Sequence, residues 1–390
     1  MIIALWISLF VIVYTFVGYA IVLFCLIRIK RIFKKPVNLF YPPNLPSVTV
    51  LIAAYNEEDI IEEKIQNTLD LDYPKDKLQV IIITDGSTDD TPVRVNKHEA
   101  VRLMHSSLRA GKMAAIKRAI SSVTGDILVF TDANTFLNKQ SIKELVKHYQ
   151  NPKVGAVAGE KRILVGETAD ASSAGEGFYW KYESLLKKWD YELYSNVGAA
   201  GELFSIRSIL FEPVEADTII DDHMIAMRIA EKGYIIAYEP LAYAMETASA
   251  DSKEELKRKI RIAAGGIQSI LRLKQAANPF KYPVLTFQYI SHRVLRWTVT
   301  PFAMLLLFFS NAAIILNSPP VFYIVLFIAQ VLFYMLSIAG LYFERRNLRL
   351  KALFIPFYFC MMNYAVIAGN IRYFRKQQSA AWEKSKRKAS

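Results

Sequence analysis

The sequence has little cysteine and, in its first stretch, no charge. Only two cysteines occur in 390 residues, Cys25 and Cys360. Both fall in apolar runs, which excludes a disulfide framework and a cysteine-based zinc site. No Gly-x-Gly-x-x-Gly and no phosphate-loop signature occurs, so neither usual nucleotide-binding loop marks the chain. The charge balance is basic, 48 Lys and Arg against 36 Asp and Glu for a net +12. Yet there is no basic stripe of the kind a nucleic-acid-binding surface needs. The basic residues gather beside apolar runs, where they meet anionic headgroups.

Apolar sequence is abundant. Hydrophobic residues make up 53% of the chain, above the usual share for a soluble enzyme. Residues 1–27 carry no charge and would reach ~40 Å as a helix, enough to cross a bilayer. Arg28, Lys30, Arg31, Lys34 and Lys35 follow at once, which places the next domain in the cytosol by the positive-inside rule. The first run has no basic lead and no small-residue cleavage site, so it reads as a retained span rather than a signal peptide. Two further spans are expected at 298–316 and 321–343, joined by a Pro-containing turn. Residues 352–371 are apolar but hold Pro356, Asn363, Gly369 and Asn370. A full span there would put the basic tail at 372–390 outside, against the charge rule, so a re-entrant or interfacial segment is the alternative.

Between the spans the pattern changes to alternating strands and helices, the mark of a parallel α/β sheet. A Pro-rich linker over 28–45 leads into a strand at 47–53. A helix is expected over 57–70, with Asn56 as its N-cap and Ile60, Ile61, Ile65 and Leu69 facing inward. Further strands read at 78–83, near 100–104 and at 127–130. Each ends on polar residues: Asp85-Gly86-Ser87 after the second, Gly111-Lys112 beyond the third, Asp132-x-Asn134 after the fourth. Each motif alone reads as a turn, a solvated lysine or a helix cap. Their collection at the carboxyl edge of one sheet is where α/β proteins bind ligands. Asp132 at such an edge suits a hard cation that prefers oxygen ligands and keeps substrate phosphates in its shell.

This arrangement resembles the GT-A-type domain of glycosyltransferase family 2, the inverting transferases that use nucleotide-sugars, over roughly residues 46–265. The resemblance implies a mainly parallel α/β sheet with transmembrane helices at both ends. It implies nucleotide contacts from the first loop, Ala53 to Glu57, with Tyr55 against the base, Asp85 hydrogen-bonding it and Lys112 positioning the nucleotide. Asp132 and Asn134 stand where the family has Asp-x-Asp and would hold Mg²⁺ or Mn²⁺. Asn134 offers a carbonyl oxygen but one negative charge less.

The later chain carries the acceptor side of the resemblance. The aromatic-rich helix expected over 175–194 reads as packing. Gly198-Ala199-Ala200-Gly201 is similar to the family's glycine-rich acceptor loop, with Gly201 leaving room for a sugar ring. Asp221-Asp222-His223 opens a helix that stops at Gly233. An acidic pair at a helix start also serves as a cap. By resemblance Asp222 is the general base, and Asp221 beside it would raise a carboxyl pKa by like-charge repulsion. Residues 252–274 form a basic helix, either lying on anionic lipid or supplying Arg258 and Arg261 to the diphosphate. The tryptophan of the processive Gln-x-x-Arg-Trp motif is absent, Ile262 following Arg261. Residues 279–297 read as an interfacial segment.

The division expected is 1–27 membrane helix, 28–45 linker, 46–250 catalytic domain, 251–297 basic and interfacial helices, 298–371 membrane segments and 372–390 tail. The implied protein is a multi-pass enzyme of the plasma (inner) membrane with its catalytic domain cytosolic. It would move a sugar from a nucleotide-diphosphate donor, by expectation a UDP-sugar, to a glycan or lipid-linked acceptor, with partners in polysaccharide export. Transfer to a polyprenyl phosphate and a non-enzymatic scaffold are the alternatives.

Overall fold

The computed structural model describes residues 1–34, 39–164, 171–247, 252–317, 319–346 and 350–379. Parts of the linker (35–38), of the basic loop (347–349) and of the tail (380–390) lie outside the described residues.

An apolar helix, α1 (Ile2–Phe33), opens the chain. The sheet begins with β1 (Val48–Ala54), followed by α2 (Ile61–Leu69), β2 (Leu78–Asp85), β3 (Arg102–Ser106), α3 (Lys112–Ile120) and β4 (Ile127–Asp132). Short β5 (Phe136–Leu137) and long β6 (Val154–Leu164) precede α4 (Ala171–Leu193) and β7 (Phe204–Arg207). Then come α5 (Asp221–Glu231), β8 (Ile235–Thr247) and α6 (Ser252–Arg272).

The strand order is β3-β2-β1-β4-β7-β6-β8-β5. Strands β3, β2, β1 and β4 are parallel, as their unbroken apolar runs imply. Ala53 pairs with both Ile83 and Asp132, which aligns the carboxyl ends of β1, β2 and β4 along one edge. Strand β7 runs antiparallel to both β4 and β6, so the sheet has a second half beyond it. Phe130 of β4 and Phe204 of β7 stack at 4.6 Å across that seam. One apolar core fills each face of the sheet, around Val50, Ile52 and Val129 on one side and Leu51, Leu128 and Ile206 on the other.

The helix expected over 57–70 starts later, at Ile61. Asn56 is not its cap. It takes a positive φ of 54° and its Oδ1 accepts the Thr88 N–H at 2.8 Å. Asn tolerates that backbone, and a side chain spent on the β2 loop cannot cap a helix.

Three described helices are long and apolar enough to cross a membrane, or up to four if a bent pair is one span. The pair is α7 (Pro283–Trp297) and α8 (Val299–Ile315), meeting at 55°. The segment expected as an independent span at 298–316 is therefore the second limb of a broken helix. The other two are α9 (Val321–Arg345) and α10 (Lys351–Phe374). Residues 352–371 lie within one continuous helix, long and apolar enough to cross a membrane. Two of its polar and small residues face protein: Asn370 donates to the Trp297 carbonyl at 3.1 Å, and Gly369 lies against the Ile260 carbonyl of α6.

Helix α1 is bolted to the sheet domain. Lys30 donates to the Glu192 and Leu193 carbonyls at the end of α4, at 2.6 and 2.8 Å, the expected partner for a helix C-terminus. Arg31 pairs with Glu192. Deeper in, Tyr19 donates to Asp190, which also meets His292 of α7. His292 reaches Glu183 at 3.1 Å, and Arg293 and Arg296 pair with the same carboxylate at 2.7 and 2.9 Å. Some of the basic residues beside the first span thus dock it rather than face lipid.

Candidate active site

The site grows from the turn after β4. Under it lies Lys64 of α2, fully buried, whose ammonium donates to Thr131 Oγ1 at 3.0 Å and the Thr135 carbonyl at 2.6 Å. Burial pulls its pKa down to about 7, against the pull of Asp132. Thr131 donates in turn to the Glu202 carbonyl at 2.9 Å, so the Asp132 turn and the Gly201–Glu202 loop are one unit. Lys64 was missed in the sequence, where its signal is a lysine on the inward stripe of Ile61 and Ile65.

Above the turn, carboxylates converge on one ammonium. Lys112, at the start of α3, donates to Asp132 Oδ1 at 2.9 Å and stands 3.8 Å from Asp221. Burial lowers the Lys112 pKa, but Asp132, Asp221 and Asp222 outweigh it and hold the group well above the ordinary lysine range. A Cβ on Gly201 would stand 3.4 Å from both Asp222 Oδ2 and Lys112 Nζ and 3.5 Å from Asp132 Oδ2. Gly201 thus borders the space between the acid that closes β4 and the acid that begins α5, and a side chain there would touch both.

That space belongs to a cleft of about 1180 Å³. Of the residues singled out in the sequence, it brings together Glu57, Lys112, Asp132, Asn134 and Gly201 with Asp221, Asp222, Arg258 and Arg261. Ala53, Tyr55 and Asp85 do not line it. Ala53 is buried beside Asp132 in the sheet. The Arg109 guanidinium lies 3.8 Å over the Tyr55 ring. Asp85 accepts from the Ala110 and Gly111 N–H groups at 2.9 and 2.6 Å and from Arg118 at 2.9 Å, so it shapes the loop before Lys112.

Asp222 has the chemistry of a base held ready. Burial, then the charge of Asp221, push its pKa up to about 7, against Lys112. Its Oδ1 accepts the His223 N–H at 2.8 Å, the usual anchorage of an acid in a first helical turn. His223 also lines the cleft, edge-on to Trp297 at 5.3 Å, and burial drives its pKa down to about 3. Its ring packs on Gly198, which has φ 135°, and a Cβ there would sit 2.4 Å from His223 Nδ1. Gly198→Ala is therefore expected to push out His223 and, through α5, Asp222. Steady-state assays should show kcat down about tenfold or more, as ångström-scale misplacement does.

Asp132 and Asn134 together offer oxygen donors suited to a hard divalent cation. Burial raises the Asp132 pKa against the pull of Lys112, an unfavourable charge state that a bound cation relieves. Among the described residues no group of three His, Cys, Asp or Glu side chains forms a metal cage. The donor set therefore fits a cation that completes its shell with a substrate diphosphate and water.

The two arginines of α6 differ. Arg258 forks onto Glu255 at 3.1 and 3.2 Å and stands 3.8 Å from Glu202. Arg261 has no carboxylate partner among the described residues; it donates to the Ile219 carbonyl at 3.0 Å and its Nε is buried and unbonded. The helix thus lines the cleft and packs against α10. A tryptophan does line the cleft, Trp297 of α7, packed on Gly266 and 5.7 Å from the Arg293 guanidinium. Nothing in the sequence links it to Arg261, 36 positions earlier.

Residues 49–209 match glycosyl transferase family 2. The chain is 28% identical over 250 residues to the poly-beta-1,6-N-acetyl-D-glucosamine synthase of Staphylococcus aureus, covering 61% of this chain and 58% of that protein. It is 27% identical over 243 residues to the probable glycosyltransferase YdaM of Bacillus subtilis, covering 58% and 57%. The chain thus spans less than two thirds of the length of these relatives. Among solved structures it is similar to the mannosyltransferase PcManGT of Pyrobaculum calidifontis, in complex with GDP-Man and Mn²⁺. There the TM-score is 0.72 and the identity 25%, over 96% of this chain and 100% of the other. The chain therefore carries a glycosyl transferase family 2 domain of GT-A-type fold, set between an apolar N-terminal helix and apolar helices in its C-terminal part.

Proposed function

We propose that the protein is a membrane-bound inverting glycosyltransferase that moves a sugar from a nucleoside-diphosphate donor to a glycan or lipid-linked acceptor at the cytosolic membrane face. The observation that carries this reading is the meeting of Asp132, Lys112 and Asp222 around the space at Gly201. A reaction with a diphosphate leaving group and a hydroxyl nucleophile needs cationic stabilisation and a base on opposite sides of one carbon.

In the proposed step, Asp222 takes the proton of an acceptor hydroxyl as its oxygen bonds to the anomeric carbon. The bond from that carbon to the donor diphosphate breaks on the opposite face, which inverts the configuration. Arg261, the arginine without a carboxylate, receives the departing charge, and Lys112 holds Asp132 and the diphosphate in register. Asp132 and Asn134 would hold the divalent cation, which neutralises diphosphate charge when bound. The synthase relatives support a role in exopolysaccharide assembly, and a UDP-sugar is the donor the sequence leads us to expect. The solved mannosyltransferase, with GDP-Man and Mn²⁺, supports a GDP-sugar as the second reading.

The test is a panel of UDP- and GDP-sugars offered to the purified full chain with and without Mn²⁺, read by nucleotide release and product anomer. Metal-dependent release from one donor class, with inversion, is the expected result. Silence across both classes with glycan and lipid acceptors would sink the reading.

A further inference from the structure

Lys187 is a buried cation without an anion. It is 8% exposed, yet among the described residues no carboxylate or hydrogen-bond acceptor meets its ammonium. Its neighbours are aromatic rings, Trp180 at 5.8 Å and Tyr238 at 5.6 Å from the ring centres. Buried lysines are ordinarily paired. The acids on this wall are engaged elsewhere: Glu183 with His292, Arg293 and Arg296, and Glu160 with Ser184 and Tyr238. Lys161 and Lys259 also lie near the Trp180 indole, at 5.7 and 5.1 Å, but each has its own carboxylate.

The position of Lys187 separates it from the proposed donor side. Trp180, Glu183 and Lys187 recur at helical spacing on α4 and line the cleft together. Tyr238 under Lys187 belongs to β8, paired with Ala158 of β6, on the far side of β7 from Asp132 and Lys112. Beyond this wall the cleft turns apolar, through Ile262, Ala263 and Trp297 to Met362, Ala365 and Val366 of α10, a candidate membrane span.

We propose that Lys187, with the Trp180 face beside it, binds a phosphate group carried by the acceptor. The ammonium supplies the missing ion pair, the indole a platform for the adjoining ring or chain, and the α10 side chains an apolar bed. A neutral glycan offers the ammonium only hydroxyl acceptors, whereas a phosphate also supplies the opposite charge, so the site favours the charged acceptor. This rests on the transferase reading above, and the phosphate is shared by two sources, a lipid carrier or a soluble phosphorylated sugar.

Calorimetry on the full chain in detergent tests it, with UDP or GDP and Mn²⁺ saturating the donor site. Two matched pairs serve as probes: farnesyl phosphate against farnesol, and glucose 1-phosphate against methyl glucoside. The phosphorylated member of at least one pair should bind tenfold or more tightly than its neutral partner. Preference within the farnesyl pair identifies a lipid carrier, and preference confined to the glucose pair a soluble phosphosugar. Lys187→Gln should abolish the preference and Lys187→Arg retain it, with donor hydrolysis in the absence of acceptor unchanged in both. Equal binding of charged and neutral probes to the wild-type chain would overturn the proposal, as would a Lys187→Gln variant that keeps the preference. Donor hydrolysis in the same preparation reports on the transferase reading separately: its absence would remove that reading while the calorimetric comparison still judges Lys187.

Discussion

Replacing Asp222 with Asn is expected to lower kcat by about 10³-fold while leaving donor binding within a few-fold, since general bases contribute ~10²–10⁴. The pH dependence gives the sharper signature. The Asp222 carboxyl is raised to about 7 by burial and by Asp221, and only its ionised form accepts a proton. Wild-type kcat/KM should therefore rise with pH through that region and level off above it. The Asn variant should lose this acid limb. Stability moves the other way. A carboxyl with a native pKa above its unfolded value makes the native state bind more protons between the two, so its ionisation costs stability as pH rises. The cost is absent below pH ~4, near the unfolded value, and complete above about 7. Asp222→Asn removes it, so the variant should melt higher than wild type at pH 8, with the gap closing towards pH 4. A variant that retained the acid limb, or transferred sugar at the wild-type rate, would remove Asp222 from the mechanism.

What could be read in advance follows from how local each signal is. Strands β1, β2 and β4 were legible because burial on both faces demands unbroken Val, Ile and Leu, and each run stops at the polar residues of the sheet edge. The start of α5 was legible because Asp221 and Asp222 suit both a helix N-terminus and a reactive cleft. Asn56 misled, since its side chain answers to Thr88, 32 residues away, rather than to its own helix. Lys64 was passed over because its partners, Thr131 and Thr135, arrive only when α2 packs under β4. The division of labour between Arg258 and Arg261 was equally hidden: Glu255 and Glu202 neutralise one, and among the described residues a backbone carbonyl but no carboxylate meets the other. Trp297 enters the cleft by way of the bend at Thr298, a feature of how α7 and α8 pack and not of any motif. For Asn56 and Lys64 the deciding partner lies far away in sequence.

Asp132→Ala is expected to cost about 10²–10³ in kcat and to flatten the response to Mn²⁺, because charge stabilisation of a leaving diphosphate is usually the largest catalytic contribution. Lys112→Met should cost less, since the ammonium organises Asp132 but is not itself one of the oxygen donors proposed for the cation. The informative companion is Asn134→Asp. The family pattern has a second carboxylate there, and the position lines the cleft beside Asp132, with room for the same shape. Adding a charge to a two-donor set should tighten the cation, lowering the Mn²⁺ concentration for half-maximal activity by tenfold or so, the scale of ~1.4 kcal/mol. It should also narrow any preference for Mn²⁺ over Mg²⁺, because a harder, more anionic site depends less on the softer ion. Metal titrations of nucleotide release from the three variants decide the matter. If Asp132→Ala keeps the wild-type Mn²⁺ dependence, the cation binds elsewhere and the ammonium of Lys112 is the true partner of that acid.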